Sequence, residues 1–232
     1  MTALGSGMPD RESATDDAPR RGIGRQIAAI MAIGLIFRLI LAYGIDGLRG
    51  SGFGADLGLF NHWADTIAQH GPWGFYANAS YADYTPGYLY ALWPIGALRE
   101  VAGAAGLATD ITDSLIKLPA IITDVLLGYL VASMALELGV TRRRALIAAA
   151  VVIFNPITWF DSVIWGQVDS FGTLFLLLGT RELWRGRHER AAILAVVAAL
   201  IKPQLAILVP IVAVVAIRRA LWPAGGYGDE PD

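Results

Sequence analysis

Apolar runs separated by short polar segments make up most of this chain. Five runs stand out by their composition: residues 27–45, 115–138, 145–160, 171–178 and 191–217. A helix of about 20 apolar residues is long enough to cross the hydrocarbon core of a bilayer. The pattern therefore predicts an all-α protein, a polytopic transmembrane helical bundle with about five to six hydrophobic segments.

Residues 57–70 follow a different pattern, because their large apolar side chains occupy only one side of a helix. Those side chains recur at helical spacing: Leu59, Phe60, Trp63 and Ile67. Polar residues, Asp65 among them, occupy the opposite side and are expected to be solvated. A one-sided pattern predicts an amphipathic helix lying in the membrane interface, and Gly71 and Pro72 are expected to end it.

Residues 86–98 form a further apolar run, which is short and contains Pro94. Lengthening this run to span a bilayer would place Arg99 and Glu100 well inside the hydrocarbon. Each charge at that depth costs about 2.5–3.5 kcal/mol on insertion scales. The run is therefore predicted to be re-entrant or shallow.

Composition also indicates a membrane protein. Hydrophobic residues make up 55% of the 232 residues, charged residues make up 16%, and the mean hydropathy is +0.52. Soluble domains contain about 25% charged residues. The net charge of −2 gives no indication of nucleic-acid binding. The absence of cysteine excludes a disulfide framework and any cysteine nucleophile or metal ligand.

Arginine clusters between the apolar runs predict the topology. They occur at residues 20–25, 142–144 and 181–190. Cytoplasmic loops of membrane proteins are enriched in Lys and Arg, so all three clusters are expected in the cytoplasm. If residues 86–98 do not cross, the remaining runs alternate without conflict. They then place the regions around Asp56 and Asp169 together on the extracytoplasmic face.

The expected organisation has three parts: a disordered cytoplasmic tail at 1–25, a membrane module at 26–220 and a polar tail at 221–232. An external loop at 46–85 would carry the amphipathic helix. Arg218 and Arg219 fit this topology only if the break at Lys202-Pro203-Gln204 turns the last run into a hairpin. The expected location is the cell (inner) membrane, with a cytoplasmic N-terminus and a site outside the cytoplasm.

Charged residues within the apolar runs have more than one interpretation. Arg38 could extend its side chain towards an interface, or it could bind a phosphate at a functional site, as charges within the membrane often do. Lys117 and Asp124 are seven residues apart and share one side of a helix, so they could form a buried pair.

Five segments occur in the order in which one enzyme superfamily has them: GADLGLFNHWA, YTPGYLYALW, KLPAIITD, FNPITWFDSVIWGQVDS and IKPQ. Together with the multi-pass pattern they resemble the N-terminal module of the GT-C superfamily of membrane glycosyltransferases. The resemblance is to bacterial mannosyltransferase-like members related to the protein-O-mannosyltransferase and dolichol-linked glucosyltransferase groups. Those enzymes usually have more spans, so a fragment, a split gene or a short protein with a partner subunit is expected.

The resemblance implies transfer of a hexose, such as mannose, from a polyprenyl-phosphate-linked donor to a hydroxyl of a glycan, protein or lipid acceptor. In the superfamily an aspartate of the first external loop is the general base, and this role falls to Asp56. Lys117, Lys202 or Arg38 would supply a cation for the departing phosphate. Gln167 and Asp169 could bind sugar hydroxyls or a divalent cation, and whether a cation takes part is open. The implied substrate-binding residues are Asp83, Tyr84, Tyr88, Lys117, Gln167, Asp169, Lys202 and Gln204.

Two alternatives remain open. Asp56 could be the N-cap of the helix that follows it, because Asp is favoured at that position; this would not exclude catalysis. The protein could also be a non-enzymatic polyprenyl-lipid carrier or flippase, or a scaffold subunit derived from such an enzyme.

Overall fold

Helices make up nearly all of the described chain, which in this computed structural model comprises residues 17–45 and 54–221. No strand occurs in these ranges, so the all-α prediction is confirmed for them. The helices follow one another as α1 (Asp17–Leu39), α2 (Gly54–Asn78), α3 (Pro86–Ala104), α4 (Thr109–Ser114), α5 (Leu118–Glu137), α6 (Arg142–Phe154), α7 (Pro156–Trp159), α8 (Asp169–Trp184), α9 (His188–Ile201) and α10 (Leu208–Leu221).

The N-terminal helix is longer than the sequence pattern indicated. It begins at Asp17, so residues 17–25, which were predicted to belong to a disordered tail, are helical. The remainder of that tail lies outside the described residues. The same holds for the polar tail at 222–232 and for the part of the external loop at 46–53.

Among the described residues, three helical stretches are long and apolar enough to cross a membrane: Gly22–Gly44, Thr109–Glu137 and Arg142–Trp165. Helices α8, α9 and α10 contain 16, 14 and 14 residues, which corresponds to about 21–24 Å at 1.5 Å per residue. The three long stretches are compatible with a membrane protein. The predicted total of five to six membrane segments is not confirmed.

The chain reverses direction at Lys202, because α9 and α10 pack side by side. Ala191, near the start of α9, lies in one apolar cluster with Val212 of α10. Arg219, near the end of α10, lies beside Gly186 in the turn that precedes α9. The last apolar run is therefore a hairpin, which is the arrangement that the predicted topology required.

The arginine clusters gather at one end of the bundle. Glu137, at the end of α5, accepts hydrogen bonds from Arg181 and from Arg185, the latter at 2.6 Å. Arg142, at the start of α6, donates to the side-chain oxygen of Gln26 in α1 at 2.9 Å. This arginine end is thus formed by the start or end of several helices, and the acidic residues described below lie at the opposite, acidic end.

The apolar side of α2 faces protein, and its polar side is solvated only in part, because Asn61 and Thr66 are buried. Phe60 and Trp63 are 2% and 0% exposed, because α3 and the loop before it pack against them. Gly96 of α3 is so close to α2 that an added Cβ would lie 2.0 Å from the carbonyl oxygen of Ala64. The helix bends at Gly71, whose φ of 67° is accessible mainly to glycine, in agreement with the predicted break.

The helix α3 lies across the acidic end of the bundle. Near its start, Gly87 packs against the backbone of Leu200 at the end of α9. Near its other end, Arg99 donates to the carbonyl oxygen of Thr112 at 2.8 Å and forms an ion pair with Asp113 at 3.1 Å, shortly before α5 begins. Both contacts belong to the same end of the bundle. The shallow position of residues 86–98 relative to a bilayer stays a prediction.

Candidate functional site

A cavity of about 310 Å³ opens at the acidic end, where α2, the loop before α3, the segment before α8 and the break after α9 meet. Its volume is at the lower end of the range of about 300–1,000 Å³ typical of ligand pockets. Seven of the nine residues predicted for the site line it: Asp56, Asp83, Tyr84, Gln167, Asp169, Lys202 and Gln204. Four further residues complete the lining: Leu59, Phe60, Asp161 and Trp165.

Asp56 is held in one orientation by two donors. It lies in the first turn of α2, which begins at Gly54, so it is not the N-cap of that helix. The indole Nε1–H of Trp165 donates to Oδ2 of Asp56 at 2.8 Å, and the Nε2–H of Gln167 donates to the same oxygen at 2.7 Å. Hydrogen bonds to charged groups contribute about 1.5–3 kcal/mol each, so this pair orients the carboxylate.

The segment between α7 and α8 presents these two donors. It begins with a π-helical turn at Phe160–Trp165. This turn ends at Gly166, whose φ of 82° lies in the left-handed region. The backbone N–H groups of Gly166 and Gln167 both donate to the carbonyl oxygen of Asp161 at 2.9 Å. Because this turn reverses the chain tightly, the side chains of Trp165 and Gln167 meet at one carboxylate.

Lys202 brings a positive charge to the cavity. It lies in the break between α9 and the 3₁₀ turn Pro203–Ile207, and its amine forms an ion pair with Asp169, the first residue of α8. The amine is also 5.9 Å from the ring centroid of Tyr84, within the range of a cation–π contact. Burial lowers the pKa of Lys202, but the contacts with Asp169 and Tyr84 outweigh burial and raise that pKa overall. The amine is therefore protonated at neutral pH.

The remaining lining offers hydrogen-bonding groups of several kinds. Asp83 accepts a hydrogen bond from the hydroxyl of Tyr81 at 3.1 Å. Burial raises the pKa of Tyr84, so its phenol is neutral and can donate. Gln204 is exposed in the 3₁₀ turn. Carboxylates, an amide and a phenol around one small cavity can bind a ligand that carries several hydroxyl groups.

Two lining residues were not singled out from the sequence: Asp161 and Trp165. Their spacing of four places them on one side of a helix, and both belong to the segment FNPITWFDSVIWGQVDS that carried the resemblance. A signal was therefore present in the spacing. The side of the helix that faces the cavity depends on the π-helical turn and on the left-handed turn at Gly166, which periodicity does not reveal.

Tyr88 lies beneath the cavity and does not reach its surface. Its side chain is 1% exposed, and its ring centroid is 5.6 Å from that of Phe60, 6.0 Å from that of Tyr84 and 6.2 Å from that of Phe171. The position of Tyr88 does not support the direct substrate contact predicted for it. The ring instead packs under two residues of the lining and supports their positions.

Lys117 is not part of the lining either. It lies in the 3₁₀ turn Leu115–Lys117 before α5, and its side chain is fully buried. Asp124, which was considered as a partner for Lys117, forms an ion pair with Arg38 instead. Among the two lysines predicted to bind substrate, the structure brings only Lys202 to the cavity.

Arg38 neither extends towards an interface nor faces the cavity. Its side chain is 0% exposed, and its Nε–H donates to Oδ2 of Asp124 at 2.8 Å. An Nη2–H donates to the carbonyl oxygen of Ile153 at 2.7 Å. The hydroxyl of Ser162 donates to the same oxygen of Asp124 at 2.6 Å. This ion pair therefore links α1 and α5 to the π-helical turn, and neither role considered for Arg38 agrees with its position.

The sequence left open whether a divalent cation takes part in the reaction. Within residues 17–45 and 54–221, no group of three or more His, Asp or Glu side chains is arranged to hold a metal ion.

Comparison of the chain with protein-family models, with curated proteins and with solved structures finds no match. The resemblance to the GT-C superfamily therefore rests on the short segments quoted above and stays a prediction.

Proposed function

We propose that this protein is a membrane glycosyltransferase that moves a hexose from a polyprenyl-phosphate-linked donor to an acceptor hydroxyl. The observation that carries the proposal is the meeting of Asp56, Gln167 and Lys202 in one cavity, although they lie far apart in the sequence. A carboxylate that can take a proton, an amide that orients this carboxylate and a protonated amine suit the chemistry of this transfer.

The reaction assigns separate tasks to Asp56 and Lys202. The acceptor oxygen attacks the anomeric carbon of the sugar, and Asp56 takes the proton of that hydroxyl. As the new glycosidic bond forms, the bond between the anomeric carbon and the phosphate oxygen breaks, and the lipid phosphate leaves with the electron pair. Lys202 stabilises the charge that develops on this oxygen, since a fixed cation in a site partly shielded from water acts strongly.

Trp165 and Gln167 are proposed to position the base. Both donate to Oδ2 of Asp56, so Oδ1 is the oxygen proposed to accept the proton. Both donors are uncharged, so neither places a positive charge beside Asp56. General-base assistance from a positioned carboxylate contributes about 10²–10⁴-fold in rate.

The charge of the lining favours one placement of the donor. The described part of the cavity contains one lysine and four aspartates: Lys202, Asp56, Asp83, Asp161 and Asp169. A phosphate would be repelled by most of this surface, so it is proposed to lie beside Lys202. Carboxylates accept hydrogen bonds from hydroxyl groups, so the sugar is proposed to lie against the aspartates and Tyr84.

The arginine end supports an extracytoplasmic position for this chemistry. Arginine-rich segments are retained in the cytoplasm, and the cavity lies at the opposite end of the bundle. The protein is accordingly proposed to be a multi-pass protein of the cell (inner) membrane, with the N-terminus in the cytoplasm and the site outside it.

The test is turnover of polyprenyl-phospho-mannose and polyprenyl-phospho-glucose by purified protein in nanodiscs, with a membrane extract as the source of acceptors. Release of polyprenyl phosphate is measured for the wild type and for Asp56→Asn, which keeps the shape of the side chain but removes the base. The variant is expected to lose activity by a factor of about 10²–10⁴. Glu100→Gln removes an exposed charge outside the cavity and is the control, with unchanged turnover expected.

Three results would overturn parts of the proposal. Equal turnover by the wild type and Asp56→Asn would remove Asp56 from the chemistry. Unchanged donor binding in Lys202→Met would remove the phosphate contact. Binding of either donor without turnover, in the wild type as in the variant, would favour a lipid carrier or a scaffold subunit.

A further inference from the structure

The side of α3 that faces away from the protein is apolar over three turns. It consists of exposed residues whose spacing follows one side of a helix: Tyr90, Trp93, Pro94, Ala97, Leu98 and Val101. Exposure along this surface is high, at 53% for Tyr90 and 66% for Val101. We refer to these six residues as the α3 stripe.

The charged residues of α3 lie off the α3 stripe. The guanidinium of Arg99 is on the opposite side of the helix, 11% exposed, and pairs with Asp65 at 3.0 Å and with Asp113 at 3.1 Å. Glu100 borders the stripe. A helix side that faces water normally carries the polar residues, and a contiguous exposed apolar surface marks a site of interaction. The stripe therefore has the composition of a surface that contacts something apolar.

The α3 stripe continues an apolar surface of the bundle. Gly87, one turn before Tyr90, packs against Leu200 of α9. Leu200 is 40% exposed and follows Val196 and Ile193, which are 48% and 64% exposed on the same side of α9. The apolar outer surface thus passes from α9 to the α3 stripe at this contact.

Aromatic residues mark the end of the α3 stripe that is nearest the cavity. Tyr90 and Trp93 lie there, and the aliphatic side chains of Leu98 and Val101 follow. Trp73, in the helix segment just before the loop that leads to α3, is 95% exposed. Tyr and Trp are enriched where a membrane meets water, because their rings are apolar and their N–H or O–H groups are polar.

We propose that the α3 stripe is a lipid-contact surface, on a helix that lies within one leaflet of the bilayer at the acidic end of the bundle. The sequence pattern assigned lipid contact to α2, but α3 covers the apolar side of α2, so the contact passes to the outer side of α3. Phospholipid is the occupant because the stripe continues the apolar surface of the bundle and has an interfacial aromatic end. The inference does not depend on the proposed enzymatic activity.

The test uses the natural absence of cysteine in the chain. Single nitroxide spin labels are attached to Tyr90→Cys, Ala97→Cys and Val101→Cys in phosphatidylcholine–phosphatidylglycerol nanodiscs. Collision rates with oxygen, which partitions into lipid, are compared with those of a water-soluble nickel chelate. Oxygen collisions are expected to exceed nickel collisions several-fold at all three stripe positions. Thr141→Cys, in the exposed turn at the arginine end, is the control, with the opposite ratio expected.

Two outcomes would overturn the inference. Nickel collisions that dominate at the stripe positions would place the stripe in water. Low collision rates for both reagents, together with dipolar broadening between labels, would show that a second copy of the chain covers the stripe. All three positions are exposed, so the substitutions are expected to leave folding intact. The measurement needs no substrate, and a failed transfer assay would not affect it.

Discussion

Asp56 and Asp124 show two uses of the same side chain in this bundle. Asp124 is 1% exposed, and its Oδ2 accepts hydrogen bonds from Arg38 and Ser162. A carboxylate so far from water is stable as an ion only when it is paired, because an isolated buried charge is very costly. Asp56 instead borders a cavity and is oriented by neutral donors such as Trp165. Its charge is therefore available to a ligand.

The ion pair between Arg38 and Asp124 yields a prediction about stability. Arg38→Met leaves the carboxylate of Asp124 buried without its cation, and removing one partner of a buried pair costs about 3–5 kcal/mol. The free energy of unfolding is expected to fall by about that amount. It can be measured by reversible unfolding in sodium dodecyl sulfate, followed by circular dichroism.

The double variant Arg38→Met/Asp124→Leu is the control for this prediction. Replacing both charges by apolar side chains removes the unpaired ion, so most of the lost stability is expected to return. If the single and double variants were equally unstable, the loss would come from packing and not from the unpaired charge.

At the scale of helices, the cavity is built where helices stop. Gly166 ends the π-helical turn in the left-handed region, and Lys202 is extended before Pro203, whose ring nitrogen cannot donate a hydrogen bond. Gly71 bends α2 in the same way. Side chains next to such breaks point away from the regular faces of a helix. Trp165, Gln167 and Lys202 can therefore converge on one cavity.

The packing of α2 on α3 depends on a glycine. In a helix, Gly→Ala normally stabilises by about 1 kcal/mol. At Gly96, however, the added Cβ would lie 2.0 Å from the carbonyl oxygen of Ala64, which is backbone and cannot move aside easily. Gly96→Ala is therefore expected to push α3 away from α2 and to lower the melting temperature, as measured by circular dichroism.

Gly103 offers a matched control in the same helix. A Cβ added there meets no described atom within 4 Å, so Gly103→Ala is expected to leave the melting temperature unchanged or to raise it slightly. Equal effects of the two substitutions would mean that the close contact between α2 and α3 does not stabilise the protein.

At the scale of the whole molecule, the bundle has two chemically different ends. The arginine end carries contacts such as Glu137 with Arg185 and Gln26 with Arg142. The acidic end carries the cavity, which contains Asp56 and Lys202. Because arginine-rich segments stay in the cytoplasm, this asymmetry predicts which end faces outwards.

Cysteine labelling in intact cells tests that orientation. Ser80→Cys lies in the exposed loop at the acidic end, and Thr141→Cys lies in the exposed turn at the arginine end. A membrane-impermeant maleimide is expected to label Ser80→Cys directly, and Thr141→Cys only after the membrane has been permeabilised. The reverse result would invert the proposed topology. Labelling of both without permeabilisation would mean that the two ends lie on the same side of the membrane.

Much of the site could be predicted because residue type and helical breaks are local properties. The polar residues Asp56, Gln167 and Lys202 interrupt apolar runs or flank glycine and proline, and the structure brings them to one cavity. Tyr88 and Lys117 occur in similar surroundings along the chain, but they are buried beside other helices. Only the packing of those helices distinguishes the two groups.

The sequence by itself determined that the described part of the chain is helical and that α2 breaks at Gly71, but it left open whether the chain reverses at Lys202. In an apolar environment each backbone polar group must be paired within its own segment, so an apolar run dictates its own helix. Tertiary structure decided which side of each helix is covered: α3 packs on the apolar side of α2, for which lipid contact was predicted, and Arg38 pairs with Asp124. The donors to Asp56 lie 109 and 111 residues away in the chain. Such contacts depend on how the helices pack against one another, and no local pattern contains that information.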